Sequence, residues 1–196
     1  MRIRDTNKID AICTKAVEIV VKQGFDGLSM QKLAKAANVS PATIYIYFKD
    51  KEDLILKVSV KEVEKMIATT FKNFDSAMPF AEGLKIQWKN RAKYWLKNPV
   101  QARFMEQVRH SPIGETVYKM VKKEFSAVMR EFVEGAIKRK ELIKLPVEVY
   151  WSIAFAPLYT LIKFHNDGRG LSGEKFVWSD EYMKQALKLV LKALKP

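Results

Sequence analysis

Between Gly24 and Asp50 the sequence places its turn and capping residues in an order that leaves room only for short helices. Upstream, Ile9, Ile12, Cys13, Ala16, Ile19 and Val20 recur at three- and four-residue steps, which predicts an amphipathic helix from Thr6 to Lys22. Gly24 supplies a left-handed stop just beyond it, and a turn follows over Phe25-Asp-Gly27. Ser29 is an N-cap for a helix over Met30–Ala37, and Asn38 tolerates the αL conformation that ends it. Ser40-Pro41 restarts the chain at once, Ser as N-cap and Pro at the first helical position, where a missing N–H costs nothing. That helix runs to about Phe48. Asp50 caps a fourth, with Glu52 and Asp53 in its first turn to suit the helix dipole.

Two short helices joined by a tight turn form a helix-turn-helix. In the second of them Ile44 and Phe48 lie four apart and seat it on a core, so that Ala42, Thr43, Ile46 and Tyr47 point largely the other way. A face of small, hydroxylated, apolar and aromatic groups suits base edges and thymine methyls, with a phenol reaching a phosphate. Charge supports this locally more than globally. The net charge is +13, but residues 1–66 hold only 12 Lys/Arg against 9 Asp/Glu, while residues 67–196 hold 23 against 13. The sharper signal is that no acid occurs between Asp26 and Asp50, a window that contains Lys32, Lys35 and Lys49.

The stretch Gly24-Phe-Asp-Gly-Leu-Ser-Met-Gln-Lys-Leu-Ala34, followed by Ala37-Asn-Val-Ser-Pro-Ala-Thr-Ile-Tyr-Ile-Tyr-Phe-Lys-Asp-Lys-Glu-Asp-Leu54, resembles the DNA-binding domain of the tetracycline-repressor (TetR) family. The likeness covers about the first third of the chain without a gap. Asn38 stands where Gly is common, and Tyr47 where His is common. The resemblance implies that Pro41, Ala42, Thr43 and Ile46, with Ser40 beside them, face DNA in the major groove, and that Gln31 reads a base from the preceding helix. It implies that Ser29, Tyr45, Tyr47 and Lys51 hold phosphates. For Tyr45 a core aromatic is an equal alternative, and for Lys51 the alternative is a solvated lysine at a helix start.

The remainder reads as helices throughout: Lys51 to about Asn73, then Pro79–Lys97, Pro99–His110, Pro112–Arg139, Pro146–Asn166 and Ser179–Lys195. It is rich in aromatic and Met side chains. Singly, each fits a core; as a set, they leave irregular gaps that a flat apolar ligand fills. The family resemblance implies a ligand pocket among the central helices, and the candidate lining is Trp88, Trp95, Phe104, Met105, Tyr118, Phe125, Met129, Phe155 and Tyr159. The expected effector is an amphipathic or aromatic small molecule, with an anionic one suggested by the excess positive charge. The last two long helices are expected to pair between subunits through Trp151, Phe155, Leu158, Leu187, Val190 and Leu191.

Other chemistries find little support. Gly168-Arg-Gly-Leu-Ser-Gly-Glu174-Lys175 approaches a phosphate loop, but Glu174 stands where Lys must follow Gly and no strand precedes it. His110, His165 and Cys13 are too scattered for a zinc site, so no metal and no cofactor are expected. Cys13, the single cysteine, excludes an internal disulfide framework and reads as a small buried hydrophobe. The charged N-terminus offers no signal peptide, and the low-charge run from Val149 to Ile162 is too short to span a bilayer. A cytoplasmic protein with no membrane partner is expected. The fold expected is all-α: a three-helix helix-turn-helix domain over residues 1–50, and a ligand-sensing and dimerisation domain over 51–196 whose connecting helix begins near Lys51. The function expected is ligand-responsive regulation of transcription, not catalysis, by a homodimer on a palindromic double-stranded operator. Repression is the output the resemblance implies. The alternative is a helical small-molecule carrier or enzyme whose N-terminal segment does not bind DNA; a carrier has no need of an acid-free, methyl- and hydroxyl-bearing helix face.

Overall fold

The computed structural model describes residues 2–196, with side chains from residue 7 onward other than those of residues 123 and 124. Every regular element among the described residues is an α-helix. In chain order these are α1 (Arg2–Gln23), α2 (Met30–Ala36), α3 (Pro41–Tyr45), α4 (Lys51–Thr70), α5 (Phe80–Lys97), α6 (Pro99–Arg109), α7 (Gly114–Lys138), α8 (Val147–Ala154), α9 (Ala156–Asp167) and α10 (Asp180–Ala193). Packing divides the chain into two compact units. One comprises residues up to 65 together with 99–122; the other comprises 66–98 together with 123–196. A division by packing therefore differs from a cut near residue 51, since the first three quarters of α4, all of α6 and the start of α7 go with the N-terminal unit.

In the first unit, α1 contributes Ile12, Cys13, Ala16, Val17 and Val20 to a core that also takes Leu33 from α2, Ile44 from α3 and Leu54 and Val58 from α4. Phe104 and Val108 of α6 complete it. The period of α1 dictates this: its apolar residues recur on one stripe, and burying that stripe is the main stabilising term. Burial also pushes the Cys13 thiol up from its ordinary pKa, with Lys61 opposing weakly, so the cysteine is a core hydrophobe and not a poised nucleophile.

In the second unit, the core gathers Leu84 and Trp88 of α5, Phe132 and Ala136 of α7, Tyr150 and Ala154 of α8, Leu158 of α9 and Leu187 and Val190 of α10. The expected single helix over Pro146–Asn166 is in fact two, α8 and α9, meeting at Phe155 (φ −129°, ψ −27°). Pro157 explains the break, because it offers no N–H to the Ile153 carbonyl and its ring crowds that carbonyl. At the break Trp88 Nε1 donates to the Ala154 carbonyl at 2.8 Å, which fixes α5 against the α8–α9 corner. Gly83 on α5 is required by close approach: a Cβ there would lie 2.5 Å from Cε2 of the buried Phe132 ring. Gly83→Ala is expected to destabilise this unit by about 1–3 kcal/mol through overpacking despite its better helix propensity. A lowered denaturant midpoint checks this.

Candidate nucleic-acid interface

The caps and turns that frame α2 and α3 form as their residues dictate. Ser29 Oγ accepts from the Lys32 amide at 3.2 Å and Ser40 Oγ from the Thr43 amide at 3.2 Å, each closing the first turn of its helix. Asn38 takes φ +52° between the two helices, and Gly24 φ +70° at the end of α1. Pro41 occupies the start of α3. The Asp50 carboxylate accepts from the Asp53 amide at 2.8 Å and so starts α4. Regular α3 ends at Tyr45, shorter than the Phe48 end expected, yet the Ile46 amide still donates to Ala42 at 3.2 Å and the Phe48 amide to Ile44 at 3.0 Å. Helical geometry thus persists for another turn, and Ile44 and Phe48 both reach the core.

The opposite face is open. Ile46 is 74% exposed and Tyr45 54% exposed. Tyr45 therefore belongs to the surface, not the core. Pro41, Ala42, Ser40, Gln31 and Ser29 are exposed as well, and Thr43 and Tyr47 are half-buried. Ile46, the residue that caps the five-residue α3, and Tyr45 before it form an exposed apolar pair. The Thr43 hydroxyl lies 2.9 Å from Ser40 Oγ, so the two share a hydrogen bond at the start of the helix.

Cations surround this face. Lys51 Nζ donates to the Phe25 carbonyl at 3.4 Å, which holds the half-buried side chain in place with donors to spare for an anion. Lys32 Nζ donates to Gln23 Oε1 and to the Gly27 carbonyl. One of the two first-turn acids of α4, Asp53, is matched. Its carboxyl is held below the usual carboxylate range by Lys57 Nζ at 2.8 Å and, secondarily, by the Lys49 amide at 2.9 Å. The face can therefore meet a polyanion with little repulsion from its own side chains.

The model of the family described as bacterial regulatory proteins, tetR family, matches residues 12–58, the segment that builds this face. An HTH-type transcriptional regulator of Haemophilus influenzae is 33% identical over 122 residues, 62% of this chain; the chain spans 65% of that relative's length. The crystal structure of a TetR family transcription regulator from Marinobacter aquaeolei superposes with TM-score 0.82 at 28% identity, covering 100% of this chain and 99% of that one. A TetR-family regulator from Haemophilus influenzae superposes with TM-score 0.77 at 26% identity, covering 97% and 98%. The N-terminal segment is thus similar to the DNA-binding domain of the TetR family, and the fold of the whole chain to that of TetR-family regulators.

In this chain the residues expected to line an effector pocket do not all come together. Trp88, Met129 and Phe155 are core residues of the second unit, with Trp95, Phe125 and Tyr159 packed against them. Phe104 and Met105 instead pack in the first unit's core, on the α6 face that meets α1. Tyr118 is exposed, with Lys122 Nζ 5.4 Å from its ring. These three are corrected to structural and surface positions. Arg91, outside the sequence-based set, lies among the others, with its guanidinium 4.6 Å from the Phe155 ring centroid. The pattern that signals it is the four-residue step Gln87, Arg91, Trp95, which places a charge on the apolar face of α5.

The chemistries set aside on sequence grounds find these residues in ordinary roles. His165 Nδ1 accepts from the Trp178 amide at 3.1 Å, fastening the loop between α9 and α10. Gly168 and Gly173 give that loop its left-handed turns, at φ +69° and +81°. Among the described residues no group of His, Cys, Asp and Glu has the placement to hold a metal ion, and no helix is long and apolar enough to cross a membrane.

Proposed function

We propose that the chain is a DNA-binding transcription regulator that docks α3 in the major groove of a two-fold operator as a homodimer, represses transcription, and is released by a small-molecule effector. The observation that carries the reading is the outward face of α3: exposed Ile46, Tyr45 and Ala42 with the Thr43 hydroxyl, in a window without acids. Methyls and a hydroxyl at this density suit thymine methyls and base edges, while Tyr45, Tyr47, Ser29 and Lys51 at the margin suit phosphates. Gln31 and Pro41 extend the base-facing edge.

Two-fold pairing is supported by a shallow apolar groove on the second unit. Ala156, Pro157 and Leu161 of α9 and Ala186 and Leu189 of α10 line it, with Phe176 from the intervening loop. Leu189 is 68% exposed there. The residues first expected in this seam behave otherwise: Phe155, Leu158, Leu187 and Val190 are buried within the protomer. A C2 dimer reading one operator needs its recognition helices about one DNA turn, roughly 34–36 Å, apart.

Selection of bound duplexes from a random pool tests the reading, and a palindrome should be enriched. Failure to enrich any sequence over background would overturn it. On the enriched site Thr43→Ala is expected to cost about 1–3 kcal/mol and to blur preference at the base pairs it faces. Lys51→Ala should weaken all sequences about equally and lower the salt slope by about one. Fluorescence anisotropy across a salt series separates the two.

A further inference from the structure

The interior of the second unit holds an arginine that forms an ion pair with no acid among the described residues. Arg91 on α5 is 1% exposed. Its guanidinium carbon lies 4.6 Å from the Phe155 ring centroid, 5.4 Å from Trp151, 5.5 Å from Phe125 and 6.0 Å from Tyr159. Nη1 donates to the Tyr159 hydroxyl at 2.6 Å, and Nη2 makes a long contact of 3.4 Å to Gln87 Oε1. None of the ion pairs among the described residues includes it. Removing a guanidinium from water costs several kcal/mol, which cation–π contacts and one phenol offset only in part.

The groups around it lack one thing in common. Gln87, Arg91 and Trp95 form a stripe along α5 at four-residue steps, and each carries a buried N–H without an acceptor: Gln87 Nε2, Arg91 Nε and Trp95 Nε1. The Tyr150 hydroxyl, also buried and without a partner, is a fourth donor. Burial pushes that phenol's pKa upward, with Arg91 pulling the other way, so Tyr150 keeps its proton. Native interiors leave few polar groups in this condition, and the four in this unit can all donate. An Arg serving only as a strut from α5 to α9 would not explain the unused indole and amide groups.

We propose that this stripe is the recognition site for a monocarboxylate with an apolar or aromatic body, the carboxylate seated on Arg91 and the amide and indole donors beside it. The inference rests on the regulator reading and names its effector class. A single negative charge fits because Arg91 is the one buried cation among the described residues; a doubly charged phosphate would lack a second. The body has walls in Phe125, Trp151 and Tyr159, which are only half-buried. The guanidinium now fills the space between the rings, so the acid would draw it from aromatic faces into a charge-assisted pair, which is the stronger contact. Such a shift in the α5, α8 and α9 contacts is the differential interaction an effector needs.

The test titrates the full-length protein with decanoate and with 2-naphthoate, each against its alcohol, 1-decanol or 2-naphthol, following tryptophan fluorescence and melting temperature. At least one acid should bind, its alcohol at least about tenfold more weakly. Arg91→Met should weaken the acid about ten- to a hundredfold, the loss of a hydrogen bond to a charged group. Its melting temperature should be unchanged or raised, since an apolar side chain replaces a buried charge. If Arg91→Met does not fold, Arg91→Lys decides: it should bind more weakly but retain preference for acid over alcohol. Binding of neither acid, equal binding of acid and alcohol, undiminished binding by folded Arg91→Met, or loss of the acid preference in Arg91→Lys would each overturn the site. DNA selection is scored separately. Acid binding without any selected DNA removes the regulator reading and leaves the site; selected DNA without acid binding removes the site alone.

Discussion

Leu187→Glu is expected to unfold the second unit, whereas Leu189→Glu, two residues along the same helix, leaves the fold intact and gives monomers. Leu187 is 7% exposed and packs with Met183 and Val190 in the protomer core; Leu189 is 68% exposed in the apolar groove on α9 and α10. Replacing Leu187 removes about 2–5 kcal/mol of packing and adds a buried carboxylate without a partner. The sum approaches the whole stability of a typical domain. Leu189→Glu loses little in the protomer, but in a two-fold seam the carboxylate would be buried twice, once from each subunit. Circular dichroism should show helicity lost for Leu187→Glu and retained for Leu189→Glu, and light scattering should report half the wild-type mass for the latter. A fully dimeric Leu189→Glu would place the seam elsewhere.

That pair shows where sequence reading reaches its end. Helical period states which residues share a face; it does not state what the face meets. Leu187, Val190 and Leu191 do lie on one apolar stripe of α10, but that stripe is used up inside the protomer, and the α10 side of the groove is lined by Tyr182, Gln185, Ala186 and Leu189. The same limit applies to Phe104 and Met105, apolar as expected but committed to α1's unit. Signals that act within one turn were legible in full. Ser29, Ser40 and Asp50 cap helices through their own side chains, and Gly24 and Asn38 take left-handed φ, because each depends on backbone a few residues away. Pro157 is the local signal that a strong apolar period obscured, and it splits α8 from α9. Arg91 left only the four-residue step with Gln87 and Trp95 as a signal, for another reason. A charge on a helix reads as solvated unless its neighbours show otherwise, and only tertiary packing sets the Phe125, Trp151, Phe155 and Tyr159 rings around it.

On α3 the same contrast predicts opposite losses at positions 44 and 46. Ile44 is fully buried in the first unit's core, and Ile46, two residues on, is 74% exposed. Ile44→Ala is expected to lower the stability of the first unit by about 2–5 kcal/mol, through lost transfer energy and a cavity under α3. Its DNA affinity should fall only in step with the fraction unfolded, and lowering the temperature should restore it. Ile46→Glu should melt within a degree or two of the wild type, because the side chain is already in water. Its loss appears on DNA, where a carboxylate set against bases and phosphates costs several kcal/mol and weakens every sequence by about a hundredfold or more. Ile46→Ala separates charge from contact: losing only the apolar contact, it should weaken the preferred site by about tenfold or less and leave non-specific binding unchanged. Calorimetry and anisotropy on the three variants give the answer. Should Ile46→Glu bind DNA like the wild type, α3 does not enter the groove by this face, and exposed Ile46 would mark a protein contact instead.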